Sequence, residues 1–165
     1  MRQVFGYILL SFILVLLQTT IVRYLAIESV APDIILVWIV YLALREGQAT
    51  AIVAGFSLGL AVDLLSGNDG MLGLSALTNT VAGFTAGFFH NENKMLQILG
   101  GFQFPLVVIA VALVRNILYF LIYLQGAEID WLAGMVTYGL PAAIYTSALA
   151  LLPMFVFARK IRSQL

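Results

Sequence analysis

Asp63 and Arg115 are the two ionisable residues that lie inside long apolar runs, Ala49 to Leu65 and Leu96 to Leu124. A charge at membrane depth costs a few kcal/mol on insertion scales, so such groups face a bundle interior or water and mark a pair or a site. A salt bridge between them, or one polar cavity shared by both, is therefore expected. Asn116 adjoins Arg115, and Tyr119 follows it by four residues on the same helical row, with Tyr123 roughly in line. Two uses are open for this cluster: an ion pair that only fixes helix positions, or a pocket for a ligand or partner.

The other chemistry is scarce. His90 is the single histidine and there is no cysteine, which removes thiol catalysis, disulfides, Cys-type zinc, iron–sulfur clusters and clustered histidine ligation within one chain. No Walker loop, G-x-G-x-x-G after a strand, H-E-x-x-H or G-x-S-x-G elbow occurs. With one histidine and only Asp63 as a buried-type carboxylate, neither a Ser-His-Asp site nor a paired-carboxylate site can be assembled in the membrane. The expectation is a protein that is not an enzyme and needs no metal or cofactor. His90, beside Asn91 and Glu92, reads as a solvated loop residue.

Small and neutral polar residues carry the remaining signals. Gly55 and Gly59 are followed four and eight positions later by Asp63 and Gly67, and Gly83 and Gly87 repeat the spacing. Glycines four apart share a helix face and let a second backbone approach closely, which matters in lipid because helices there gain nothing from hydrophobic burial against each other. These faces serve either contacts within the chain or an interface with a partner or a second copy. Gln18, Thr19 and Thr20, and likewise Thr78, Asn79 and Thr80, are expected to hydrogen-bond between helices.

The elements that position these residues follow from composition. Of 165 residues, 62% are hydrophobic and 10% charged, against roughly 45–50% and 25% in soluble domains. Too few polar side chains exist to coat a water-soluble fold, so the solvent is lipid. An all-α integral membrane protein follows, a single bundle over 1–165 with approximate spans 4–22, 32–44, 49–65, 72–89, 96–124 and 132–157. The first run exceeds the 7–15 residue core of a cleaved signal peptide and reads as a retained helix. Pro32 suits a first helical turn and Asp33 complements the positive end of the second helix. Pro141 and Pro153 are expected to kink the sixth.

Charge placement orients the bundle. Alternating the spans puts Arg2, Arg45, Lys94, Arg159, Lys160 and Arg162 on the side of both termini, with Arg23 alone opposite and Arg115 within a span. By the positive-inside rule both termini are expected in the cytoplasm. Formal net charge is zero, which gives no basic face for nucleic acid.

The ordered segments Leu17-Gln18-Thr19-Thr20, Pro32-Asp33-Ile34-Ile35-Leu36, the stretch from Gly55 through Gly59, Leu60 and Asp63 to Gly67, and Leu72-Gly73-Leu74-Ser75-Ala76-Leu77 resemble the signature of the MreD family of rod shape-determining proteins. The resemblance is strongest over Gln18 to Leu77. It implies a non-enzymatic scaffold of the cell-elongation machinery in the bacterial cytoplasmic membrane. Its implied partners are MreC directly, MreB and the peptidoglycan synthases through the complex, and the lipid bilayer, while the glycine faces leave a homodimer open. It also implies a bundle similar to the substrate-binding subunits of energy-coupling-factor transporters, and the competing expectation is a small-molecule-binding subunit of that type. Carried onto this sequence, Gln18, Thr19, Pro32, Asp33, Gly55, Gly59, Leu60, Asp63, Gly67 and Gly73 occupy the family's recurring positions.

Overall fold

The computed structural model describes residues 2–26, 30–66, 71–124 and 131–162. In chain order the elements are α1 (Arg2–Thr20) with a 3-10 turn (Val22–Leu25), α2 (Ile34–Glu46), α3 (Gln48–Ser66), α4 (Leu74–Gly87), α5 (Met95–Leu99), α6 (Gln103–Tyr123), α7 (Trp131–Gly134), a π turn (Met135–Gly139) and α8 (Leu140–Arg162). Among the described residues, three helical stretches are long and apolar enough to cross a membrane: Gln48–Ser66, Gln103–Tyr123 and Trp131–Val156. Val4–Thr20 is a shorter apolar helix.

Of the other two expected spans, 72–89 is shorter than hydropathy suggested and 32–44 is as short as its sequence implied. With 13 residues in α2 and 14 in α4, each rises about 20 Å, below the about 30 Å of a hydrocarbon core. In α2 every residue from Ile35 to Leu44 is buried, the mark of a helix enclosed on all sides. It touches α1, α3, α4, α5, α6 and α8, so it forms the axis of the bundle. Gly47 ends it, with φ of 92° and an N–H donated to the Ala43 carbonyl at 3.1 Å. The chain enters α3 at the next residue, a reversal that requires the positive φ glycine tolerates.

Antiparallel α3 and α4 form the tightest pair, and the glycines explain it. A Cβ added at Gly55 would strike the Asn79 carbonyl, and one at Gly59 the Ser75 carbonyl. From the other helix, one at Gly83 would lie 2.5 Å from the Ala51 carbonyl, and one at Gly87 would strike the Gln48 side chain. All four glycines thus serve a single seam, in which backbone meets backbone at Gly55, Gly59 and Gly83. Gly67 lies outside the described residues.

The expected fifth span, 96–124, is broken. Its α5 ends at Gly100, and α6 starts at Gln103 with Pro105 as its third residue. Consecutive glycines favour a stop, and proline fits a first turn, where its missing N–H has no helical acceptor to lose. The expected sixth span, 132–157, is helical from Trp131 to Arg162, through a π turn placed just before Pro141 and on past Pro153.

Candidate functional site

One polar node ties the bundle together at the end where α2 begins. Asp33 is the α2 N-cap, its Oδ1 accepting the Leu36 N–H at 2.9 Å. Its Oδ2 lies 2.9 Å from Arg115 Nη2. The Asp33 N–H donates to Thr146 Oγ1 of α8 at 3.0 Å. Arg115 Nε donates to Asn79 Oδ1 of α4 at 2.7 Å, and Nη1 to Asn116 Oδ1 at 3.4 Å. Asn116 Nδ2 in turn donates to the Gly139 carbonyl in the π turn at 2.9 Å. Gln18 of α1 straddles the α2 start: its Oε1 accepts from the Ile34 N–H at 3.0 Å, and its Nε2 donates to the Pro32 carbonyl at 3.3 Å. Side-chain exposures of 17% for Arg115 and 15% for Asp33 make this a largely desolvated pair whose remaining hydrogen-bonding capacity is met by neutral groups, the condition under which such a pair is tolerated.

The expected Asp63–Arg115 pair is therefore corrected: the counter-charge of Arg115 is Asp33. Asp63, buried near the end of α3, turns to α4. Its Oδ2 accepts from the Gly73 N–H at 2.9 Å and the Ala76 N–H at 3.2 Å, and its Oδ1 from the Ser75 N–H at 3.2 Å. These are N–H groups at a helix start, which have no partner within the helix and carry the positive end of its dipole. Gly73 takes φ of 99° there, presenting its N–H to the carboxylate in a conformation that side chains disfavour. Asp63 thus caps α4 across the α3–α4 junction, its carboxylate spent on backbone N–H groups rather than on Arg115. Tyr119 remains half-buried on α6, stacked on Tyr123 with ring centroids 5.4 Å apart.

Gln18 and Asn79 bond between helices, whereas Thr19, Thr20, Thr78 and Thr80 turn back onto carbonyls three or four residues earlier in their own helices. A threonine hydroxyl reaches its own i−4 carbonyl easily, while an amide side chain is long enough to cross. His90 is half-buried rather than solvated, with Nδ1 2.9 Å from the Leu44 carbonyl at the close of α2. That contact pairs two segments 46 residues apart in the chain, so no local pattern announced it.

Among the described residues, no buried side-chain nitrogen or oxygen lacks a partner, and no three or more His, Cys, Asp or Glu residues are grouped to hold a metal. The node's polar groups are spent on one another. Open space lies instead on either side of α1. One groove, between α1, α2 and α8, encloses about 720 Å³ and is lined by Tyr7, Leu10, Trp38, Tyr41 and Pro153, with Arg45 at one end. The other, between α1 and α3, encloses about 800 Å³ and presents Ser11, Ala49, Ala54, Ser57 and Ala61, with Glu46 at the same end. Tyr7 lines both and donates to Glu46 Oε1 at 2.8 Å. Glu46 Oε1 is also 3.3 Å from Arg45 Nε.

A family model described as rod shape-determining protein MreD matches residues 1–161. The chain belongs to the MreD family. It is accordingly a rod shape-determining membrane protein of a structural family not known as enzymatic. No curated protein and no solved structure matches it, and the MreD match lends no support to the transporter-subunit alternative. The segment that carries the MreD resemblance, Gln18 to Leu77, holds one half of the α3–α4 seam in Gly55 and Gly59. It also holds the Asp63 cap on Gly73, the Asp33 end of the node and half-buried Leu60.

Proposed function

We propose that the chain is a non-enzymatic scaffold of the bacterial cell-elongation machinery, one domain crossing the cytoplasmic membrane six times with both termini inside. In this reading it holds MreC directly, and through MreC it is coupled to MreB and the peptidoglycan synthases. The observation that carries it is the α1–α3 groove. From Ala49 to Leu65 its α3 wall covers 17 residues, about 24 Å end to end, most of the depth of a hydrocarbon core. Alanine and serine along that wall allow another backbone to approach, and tight packing with a few hydrogen bonds is what drives helix association in lipid. Glu46 closes the groove at the end assigned to the cytoplasm, where membrane helices carry flanking Lys and Arg. A single membrane helix such as that of MreC suits all three features.

The polar node, with Asp33, Arg115, Asn116 and Asn79, then acts by positioning. It holds five helices in register at the outer end so that the groove keeps its shape.

Capture of MreC by the detergent-solubilised chain tests this. The wild type is expected to retain MreC, and Ala54→Leu or Ser57→Leu, which fill the groove, to lose it while remaining monodisperse. A folded wild-type bundle that fails to retain MreC overturns the reading.

A further inference from the structure

The second groove differs from the first in depth and in charge. Along α2 it runs from Ile34 to Arg45, 12 residues, about 16 Å end to end. Its α8 wall, Leu149 to Val156, covers still less. That is about half of a hydrocarbon core of roughly 30 Å, the depth of a single leaflet. A spanning helix would overrun this groove; one acyl chain fits its length. Its walls are almost wholly apolar, and its volume falls within the roughly 300–1,000 Å³ of small-ligand pockets.

The charged end decides what the chain is attached to. Arg45 lies at the mouth, its side chain 37% exposed, and Tyr41 takes one of its Nη donors. Its guanidinium sits 5.8 Å from the ring centroids of both Tyr7 and Tyr41, which holds it at the mouth by cation–π attraction. Trp38 stacks on Tyr41 at 5.1 Å and donates Nε1–H to Ser11 at 2.8 Å, fixing the aromatic wall below. One turn beyond Val156, exposed Arg159 extends α8 at the same end. Glu46, the neighbouring carboxylate, takes Arg45 Nε at 3.3 Å and lines the α1–α3 groove. Arg45 and Glu46 thus form an ion pair across the mouths of the two grooves, the guanidinium on this side and the carboxylate on the other.

We propose that the α1–α2–α8 groove binds one anionic glycerophospholipid, an acyl chain lying along Trp38 and Leu10 and the phosphate at Arg45. Guanidinium is the side chain best matched to a phosphate's paired oxygens. The site is independent of MreC and of the direction in which the chain crosses the membrane.

Gly6 supplies the decisive variant. It lines the groove, and a Cβ built there meets nothing within 4 Å, so Gly6→Phe is expected to occupy the groove with no clash at its Cβ. The full chain is reconstituted in nanodiscs containing equal phosphatidylglycerol and phosphatidylcholine, then moved to detergent, and retained lipid is read by native mass spectrometry. The wild type is expected to keep one phosphatidylglycerol in preference to phosphatidylcholine. Arg45→Gln should lower that preference about five-fold, the effect of one basic residue at a lipid surface. Gly6→Phe should lose the lipid while its thermal transition stays in place. Glycerol phosphate, which has the headgroup without the chain, should not compete. Equal retention of the two lipids by the wild type overturns the proposal, as does undiminished retention in Gly6→Phe, which would mean an annular lipid. Displacement by glycerol phosphate alone does so too.

Discussion

At the scale of single residues, Asp33 and Arg115 form one energetic unit and Asp63 another. Arg115→Met removes the counter-charge of a largely buried carboxylate and is expected to cost about 3–5 kcal/mol of stability in detergent. A double-mutant cycle separates the units. Asp33→Asn with Arg115→Met should show a coupling of about 0.5–3 kcal/mol, whereas Asp63→Asn with Arg115→Met should be additive within about 0.5 kcal/mol. Strong coupling in the second cycle would restore the pairing that the sequence suggested. Asp63→Ala, which strips the partner from three N–H groups at the start of α4, should cost about 1–3 kcal/mol for each N–H left without water. Asn at this position keeps one acceptor oxygen and should cost less. Thermal unfolding followed by circular dichroism reads all of these.

At the scale of elements, the α3–α4 seam has no slack. Gly55 and Gly59 meet backbone atoms across it, as does Gly83, and backbone cannot swing aside as a flexible side chain can. Gly59→Leu is expected to force the helices apart and to abolish monodisperse material on gel filtration. Gly59→Ala should cost about 1–3 kcal/mol, the range for overpacking. Gly6→Leu, a larger change at a glycine with nothing near its Cβ, should leave the elution profile unaltered. Glycine spacing in the sequence is the same kind of signal in both seam helices, and it leaves the choice between self and partner undecided. The two faces belong to consecutive antiparallel helices and consume each other.

For the whole molecule, the proposed orientation makes a clean prediction because the chain has no cysteine. Single cysteines introduced as Lys94→Cys and Leu72→Cys should differ in whole cells. A membrane-impermeant maleimide is expected to label the second directly and the first only after permeabilisation. Labelling of both, or the reverse order, would overturn the six-span, both-ends-inside topology. The central position of α2 bears on the same question. Its 13 residues fall short of the bilayer, and its enclosure by α1, α3, α4, α6 and α8 removes the demand that its ends reach water.

The lipid environment was determined by sequence alone: a surplus of apolar side chains cannot be hidden in water, whatever the fold. Helix ends were legible too, to within a few residues, where a local signal existed, as with Pro32-Asp33 before α2. The broken fifth helix was written in Gly100, Gly101 and Pro105, yet hydropathy, which averages over a window, passes through a short turn. Tertiary structure alone decided which carboxylate Arg115 meets. Asp33 and Asp63 both lie at helix ends on the same side of the bundle, and the choice depends on which helix start packs beside α6. Asp63 and Arg115 stood out because both interrupt apolar runs. They nonetheless serve separate contacts, since a carboxylate at membrane depth is satisfied as well by three backbone N–H groups as by a guanidinium.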